Sequence, residues 1–146
     1  MTKREQEQWL VPAMSTRLRR QPMIYGIGVD VTDLARIQAA QEKNSGFAVK
    51  ILTPTELANY QQLDGRRAVE YLSGRFSAKE SYSKAFGTGL GKVALQDVEI
   101  LNNELGKPIL TKHPFSGQAF VSISHSETLV FTEVILEKEG PERDDR

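Results

Sequence analysis

The chain has 146 residues, enough for one domain with a real core but short for two. Its 19 basic side chains balance 19 acidic ones, which argues against a general nucleic-acid binder and requires any anion site to be local. With no cysteine there is no disulfide framework, thiolate metal site or thiol nucleophile, and a reducing, cytoplasmic setting fits. No apolar run reaches the roughly eighteen residues of a membrane span.

Residues 1–22 are polar and basic and lack the apolar segment of a secretory signal. They are expected to form a flexible extension, from a vector-derived leader or an upstream start codon, ahead of a domain over 23–138. The charged, aperiodic stretch 139–146 is expected to be a frayed tail.

The first element is a strand over Met23–Val31. Its β-branched residues are dense, and a helix would tolerate Gly26 and Gly28 poorly. Leu34, Ile37, Ala40 and Gln41 then follow helical spacing, with Thr32 or Asp33 to cap the helix and Asn44-Ser45-Gly46 to end it. Thr53-Pro54-Thr55-Glu56 combines an N-cap threonine, proline at the first helical position and glutamate at the third, and so predicts a capping box and a short helix through Tyr60. From Asp64 a longer helix runs to Gly87, with Val69, Leu72, Phe76 and Phe86 on its apolar stripe. Gly74 inside it costs about 1 kcal/mol relative to alanine, which implies close packing against its backbone.

Beyond the glycine-rich run Gly87-Thr88-Gly89-Leu90-Gly91 the period changes from helical to alternating. Val98–Leu101 and Pro108–Thr111 flank a hairpin loop, and Ala119–Ser124 and Leu129–Leu136 form a second strand pair around His125-Ser126-Glu127. A strand, three helices and a run of strands predict an α+β fold, an antiparallel sheet packed against a long helix and shorter helices.

The chemistry concentrates in two places. Asp30 closes the first strand, which reads as buried, and Glu80 sits on the long helix among Arg75, Lys79 and Lys84. Magnesium is held by one or two carboxylates plus phosphates and water, so Asp30 and Glu80 supply a minimal site for a metal-bridged phosphate ligand. Each acid also has a plainer reading: Asp30 as the cap of the following helix, Glu80 as a capping-box or ion-pair residue. Arg75 and Lys79, one turn apart, line one side of the helix, and Glu80 and Lys84 an adjacent one. A basic row of this kind is often a solvated face, and the glycine run often a simple helix stop; together they favour phosphate. The run is not a Walker A sequence. His125 sits where a strand meets a turn, His113 lies in a loop, and neither belongs to a Ser-His-Asp or metal-histidine pattern.

Gly28-Val29-Asp30 with Arg36-Ile37, then Arg75-Phe76-Ser77-Ala78-Lys79-Glu80 with Lys84, Gly106-Lys107-Pro108, and Ser122-Ile123-Ser124-His125 resemble, in order and spacing, the holo-[acyl-carrier-protein] synthase family of 4′-phosphopantetheinyl transferases. The resemblance implies transfer of phosphopantetheine from coenzyme A to a serine of apo acyl carrier protein. In that reading Asp30 and Glu80 hold Mg²⁺ and Lys84 neutralises phosphate oxygens. Arg75 and Lys79 hold the phosphates of coenzyme A, beside Gly87. Lys107, Pro108 and His125 contact the nucleotide. Arg36, with Lys43 on the same face, docks the acidic carrier protein, and a homotrimer with sites at its subunit seams is implied. The base for the serine proton stays open between Glu80 and a water. Another magnesium-dependent phosphoryl or nucleotidyl transferase, or a non-catalytic coenzyme A-binding module, remains as an alternative.

Overall fold

The computed structural model describes residues 20–88 and 93–141. Most of the expected extension, the glycines at 89 and 91, and the end of the expected tail lie outside those residues. Strand β1 (Pro22–Asp33) leads into α1 (Leu34–Lys43), α2 (Phe47–Ile51), α3 (Pro54–Gln61) and the long α4 (Gly65–Phe86). A 3₁₀ turn at Leu95–Asp97 precedes β2 (Glu99–Asn102), β3 (Pro108–Lys112), β4 (Gln118–His125) and β5 (Leu129–Glu139). The predicted α+β class is the observed one: β1, β5 and β4 form an antiparallel sheet in that order, and β2 and β3 form a separate hairpin.

Strand β1 begins one residue earlier than expected, since Pro22 pairs with Glu139, and the Gly140 amide donates to the carbonyl of Gln21. Gln21, Pro22, Glu139 and Gly140 thus belong to the sheet end and not to the extension or the tail. The capping box at Thr53–Glu56 is present as predicted, and Gly87 ends α4 in the left-handed region at φ 90°. Asp33 and Asp64 occupy N-cap positions without side-chain caps. Helix α2 was not expected, because five residues are too few to display a periodicity.

One core cluster packs Ala78, Tyr82 and Ala85 of α4 against Val134 and Leu136 of β5 and Ile100 of β2. A second gathers Ile37, Ala48, Ile51, Leu52 and Leu72 among the helices. Gly26 and Gly28 lie on the face of β1 that α4 crosses. A Cβ at Gly26 would strike the Ala85 carbonyl oxygen, and one at Gly28 the Ser81 carbonyl oxygen. The helix backbone therefore rests directly on the strand, and this close approach sets α4 beside Asp30, two residues further along the same face. Gly74 differs from expectation: an added Cβ would meet only Ile123 Cγ2 at 3.4 Å and His125 Nε2 at 3.6 Å, ordinary contact.

Candidate active site

Asp30 points from β1 toward α4, and its side chain is only 15% exposed. One carboxylate oxygen, Oδ2, accepts hydrogen bonds from Thr32 Oγ1 and Ser77 Oγ, each 2.7 Å long. The other, Oδ1, faces the Lys84 ammonium at 3.5 Å, while that ammonium donates to the Val29 carbonyl at 2.9 Å. Ser77 also exchanges a 2.8 Å hydrogen bond with Thr132 Oγ1 of β5, which in turn meets Ser81 Oγ at 2.7 Å. A ladder of hydroxyls thus fixes Asp30 in place and leaves one oxygen on the side of Lys84.

Glu80 lies on the exposed side of that contact, and its carboxylate makes no hydrogen bond among the described residues. Partial burial and the nearby negative charge of Asp30 push its carboxyl above the ordinary value, while Lys84 and Arg36 pull it back. The structure therefore brings Asp30, Glu80 and Lys84 together. Two acids that repel each other, one with an oxygen turned away from its hydrogen-bond donors and the other free of hydrogen bonds, are a donor set that suits a divalent cation with oxygen preference. Among the described residues no group of three or more His, Cys, Asp or Glu could hold a metal, so water and ligand oxygens have to complete any coordination shell here.

The charge of Arg36 on α1 reaches Glu80, so this helix borders the acid pair. It is exposed, as is Lys43.

Toward the N-terminal half of α4 a cavity of about 460 Å³ is lined by Asn59, Arg67, Tyr71, Arg75, Asn102 and His125, among others. Arg75 is 5% exposed. Its guanidinium lies 4.1 Å over the Tyr71 ring, donates through Nε to the Ile100 carbonyl at 3.2 Å, and reaches Asn102 Oδ1 at 3.0 Å. The His125 ring packs on α4 with Nε2 3.3 Å from the Glu70 carbonyl oxygen. Lys107 and Pro108 close the adjoining β2–β3 turn, whose backbone the Asn103 side chain ties and where Gly106 takes φ 81°. Arg75 and Glu80 are five residues apart, about 7.5 Å along the helix axis, so α4 carries both Arg75 of the cavity and Glu80 of the acid pair.

Lys79 does not join either group. Its ammonium is fully buried, 2.6 Å from Glu56 Oε1 and 2.7 Å from the Ile51 carbonyl. Burial pulls its pKa down and Glu56 opposes the fall. Its charge is consumed inside the fold, so the expectation that it holds phosphate gives way to a structural role. Gly87 has its amide bonded to the Ser83 and Lys84 carbonyls and serves as the helix stop. Glu56, Tyr71, Asn102 and Ser77 were not singled out from sequence. Glu56 was read only as a cap, and Tyr71 sits four residues before Arg75 on the same helix face, the one signal that could have paired them.

The sequence pattern of the 4′-phosphopantetheinyl transferase superfamily matches residues 26–137. A holo-[acyl-carrier-protein] synthase of Levilactobacillus brevis is 56% identical over 117 residues, 80% of this chain and 96% of that protein. One from Streptococcus mutans is 54% identical over 116 residues, 80% of this chain and 98% of that protein. Among solved structures, a holo-(acyl-carrier-protein) synthase from Bacillus anthracis in complex with CoA (3′,5′-ADP) superposes with a TM-score of 0.75 at 43% identity, covering 80% of this chain and 99% of that one. With the acid pair and the neighbouring cavity side by side along α4, these likenesses place the chain in the 4′-phosphopantetheinyl transferase superfamily.

Proposed function

We propose that this protein transfers the 4′-phosphopantetheine group of coenzyme A to a serine hydroxyl of an apo acyl carrier protein and releases adenosine 3′,5′-bisphosphate. The observation that carries the reading is the pairing of Asp30 of β1 with Glu80 and Lys84 of α4, the helix that also lends Arg75 to a cavity shared with His125. The relatives named as holo-[acyl-carrier-protein] synthases, and the coenzyme A bound to the Bacillus anthracis protein, support it.

In this reading the nucleotide end of coenzyme A occupies the cavity, with Arg75, Lys107, Pro108 and His125 around it, and the pyrophosphate lies along α4 toward Lys84. The serine oxygen forms a bond to the phosphorus that carries the pantetheine arm, and that phosphorus loses its bridging oxygen to the departing bisphosphate. Lys84 neutralises charge on the phosphate oxygens. Glu80, free of hydrogen bonds, takes the serine proton directly or through one water. Asp30 and Glu80 would hold Mg²⁺, which when bound supplies charge neutralisation at the pyrophosphate. Arg36 and Lys43 give α1 a basic face for an acidic carrier protein.

We further propose that the protein is a homotrimer of the cytoplasm. Support for assembly comes from the sheet face turned away from α4, where Ile27, Val29 and Val31 of β1, Phe131 of β5 and Phe120 of β4 are exposed. The number three comes from the family resemblance, and the cytoplasmic setting from the cysteine-free sequence. No described helix is long and apolar enough to cross a membrane.

Chromatographic measurement of adenosine 3′,5′-bisphosphate tests the reading. Release should require coenzyme A, apo carrier protein and Mg²⁺ together, and a chelator should stop it. Release without the carrier would favour another phosphoryl transferase, and coenzyme A binding with no release would favour a non-catalytic binding module.

A further inference from the structure

The peptide group of Ile100 is held from both sides by charged side chains. Its N–H donates to Glu56 Oε2 at 2.9 Å and its carbonyl accepts from Arg75 Nε at 3.2 Å. The other oxygen of Glu56 accepts from the Thr53 amide at 2.9 Å and from the Lys79 ammonium at 2.6 Å. Lys79 also donates to the Ile51 carbonyl at 2.7 Å. The side chains of Glu56 and Lys79 are fully buried. A helix cap of α3 alone needs only the Thr53 contact; the remaining bonds tie α3 to α4 and to β2.

We propose that Glu56 is a positioning residue for substrate, acting through Ile100 on Arg75. Strand β2 has four residues and, among the described residues, pairs only with β3; the packing of Ile100 in the core holds it against α4, and the Glu56 and Arg75 bonds set the orientation of its peptide. The Glu56 carboxylate fixes the height of the Ile100 peptide, and the Ile100 carbonyl fixes the Nε edge of Arg75. The guanidinium is then left with its terminal nitrogens turned toward Asn102 and the cavity. Lys79 balances the charge of Glu56, which explains why a lysine is buried in a helix otherwise lined with cations. This inference rests on the reading that Arg75 contacts coenzyme A, and it adds that the contact depends on a carboxylate that never touches the ligand.

Glu56→Gln is the selective test. An amide offers one acceptor, so the favoured turn keeps oxygen toward Thr53 and Lys79 and sets its NH₂ against the Ile100 N–H, which breaks that one link. We expect KM for coenzyme A to rise about tenfold, with kcat and KM for the carrier protein within about twofold of the original. The Arg75 Nε–H, followed by NMR, should exchange slowly with solvent in the original protein without ligand and faster in the variant. Fast exchange in the original protein overturns the proposal even if the variant does not fold. A folded variant with unchanged KM for coenzyme A, or one in which only the apparent kcat falls in step with the folded fraction, overturns it as well. Arg75→Met separates the two failures. If it weakens coenzyme A while Glu56→Gln does not, only the positioning role is wrong; if neither does, the assignment of Arg75 to the nucleotide is wrong and the positioning role falls with it.

Discussion

Asp30 and Glu80 differ in what holds them. Two hydroxyls and a lysine stabilise the charge on Asp30, whereas Glu80 meets partial burial and the Asp30 charge with no hydrogen bond in return. Asp30→Asn and Glu80→Gln should each lower turnover by about 100-fold or more while the circular dichroism spectrum is retained, because a neutral amide is a poorer ligand for a hard cation. Glu80 also carries a stability signature. Its folded pKa lies above its unfolded value, so the charged form costs stability at neutral pH and the cost disappears as pH falls through the raised value. Glu80→Gln should therefore unfold at a slightly higher temperature than the original protein in metal-free buffer at pH 7, a small difference because solvent screens a partly exposed carboxylate, and the difference should vanish in acid. A lower melting temperature at pH 7 would contradict the electrostatic account. The buried cation behaves oppositely: Lys79→Met leaves the Glu56 carboxylate unpaired and should cost about 3–5 kcal/mol in urea unfolding.

At the scale of elements, the contact of α4 with β1 decides the site, and two glycines permit it. Gly28→Ala should destabilise by about 1–3 kcal/mol and reduce activity, since the helix has to lift away from Asp30. Gly74→Ala on the same helix should instead gain about 0.5–1 kcal/mol, because its Cβ meets only ordinary contacts. Thermal melts of the two variants should move in opposite directions. The sequence showed that Gly26 and Gly28 oppose a helix, but the reason for glycine lies on a partner element more than fifty residues away in the chain, which local pattern does not display. The elements themselves were legible wherever a cap or a full period was present, as at Thr53–Glu56 and Gly87, and the five residues of α2 offered neither. Asp30 and Glu80 could be picked out because each is an acid on a recognisable segment, Asp30 on an apolar strand and Glu80 on a helix among bases. Lys79 was misread although a signal existed: it stands seven residues from both Leu72 and Phe86, on the apolar stripe, so its charge had to point into the core.

For the whole molecule, β1 reads as a buried strand and is half open. Ile27, Val29 and Val31 are 54%, 44% and 54% exposed, so the apolar pattern of β1 extends over two faces while the described residues of one chain cover only one. Phe131→Asp should shift the sedimentation coefficient of the protein toward that of a single chain, and an unchanged coefficient would show that this face is not where copies meet. The central claim is the transfer itself, and intact-mass spectrometry of an apo acyl carrier protein incubated with coenzyme A and Mg²⁺ tests it most directly. The account predicts that the original protein adds one phosphopantetheine to one serine of the carrier and that Glu80→Gln adds almost none in the same time. An unmodified carrier after prolonged incubation with the folded original protein, or full conversion by Glu80→Gln, would contradict it.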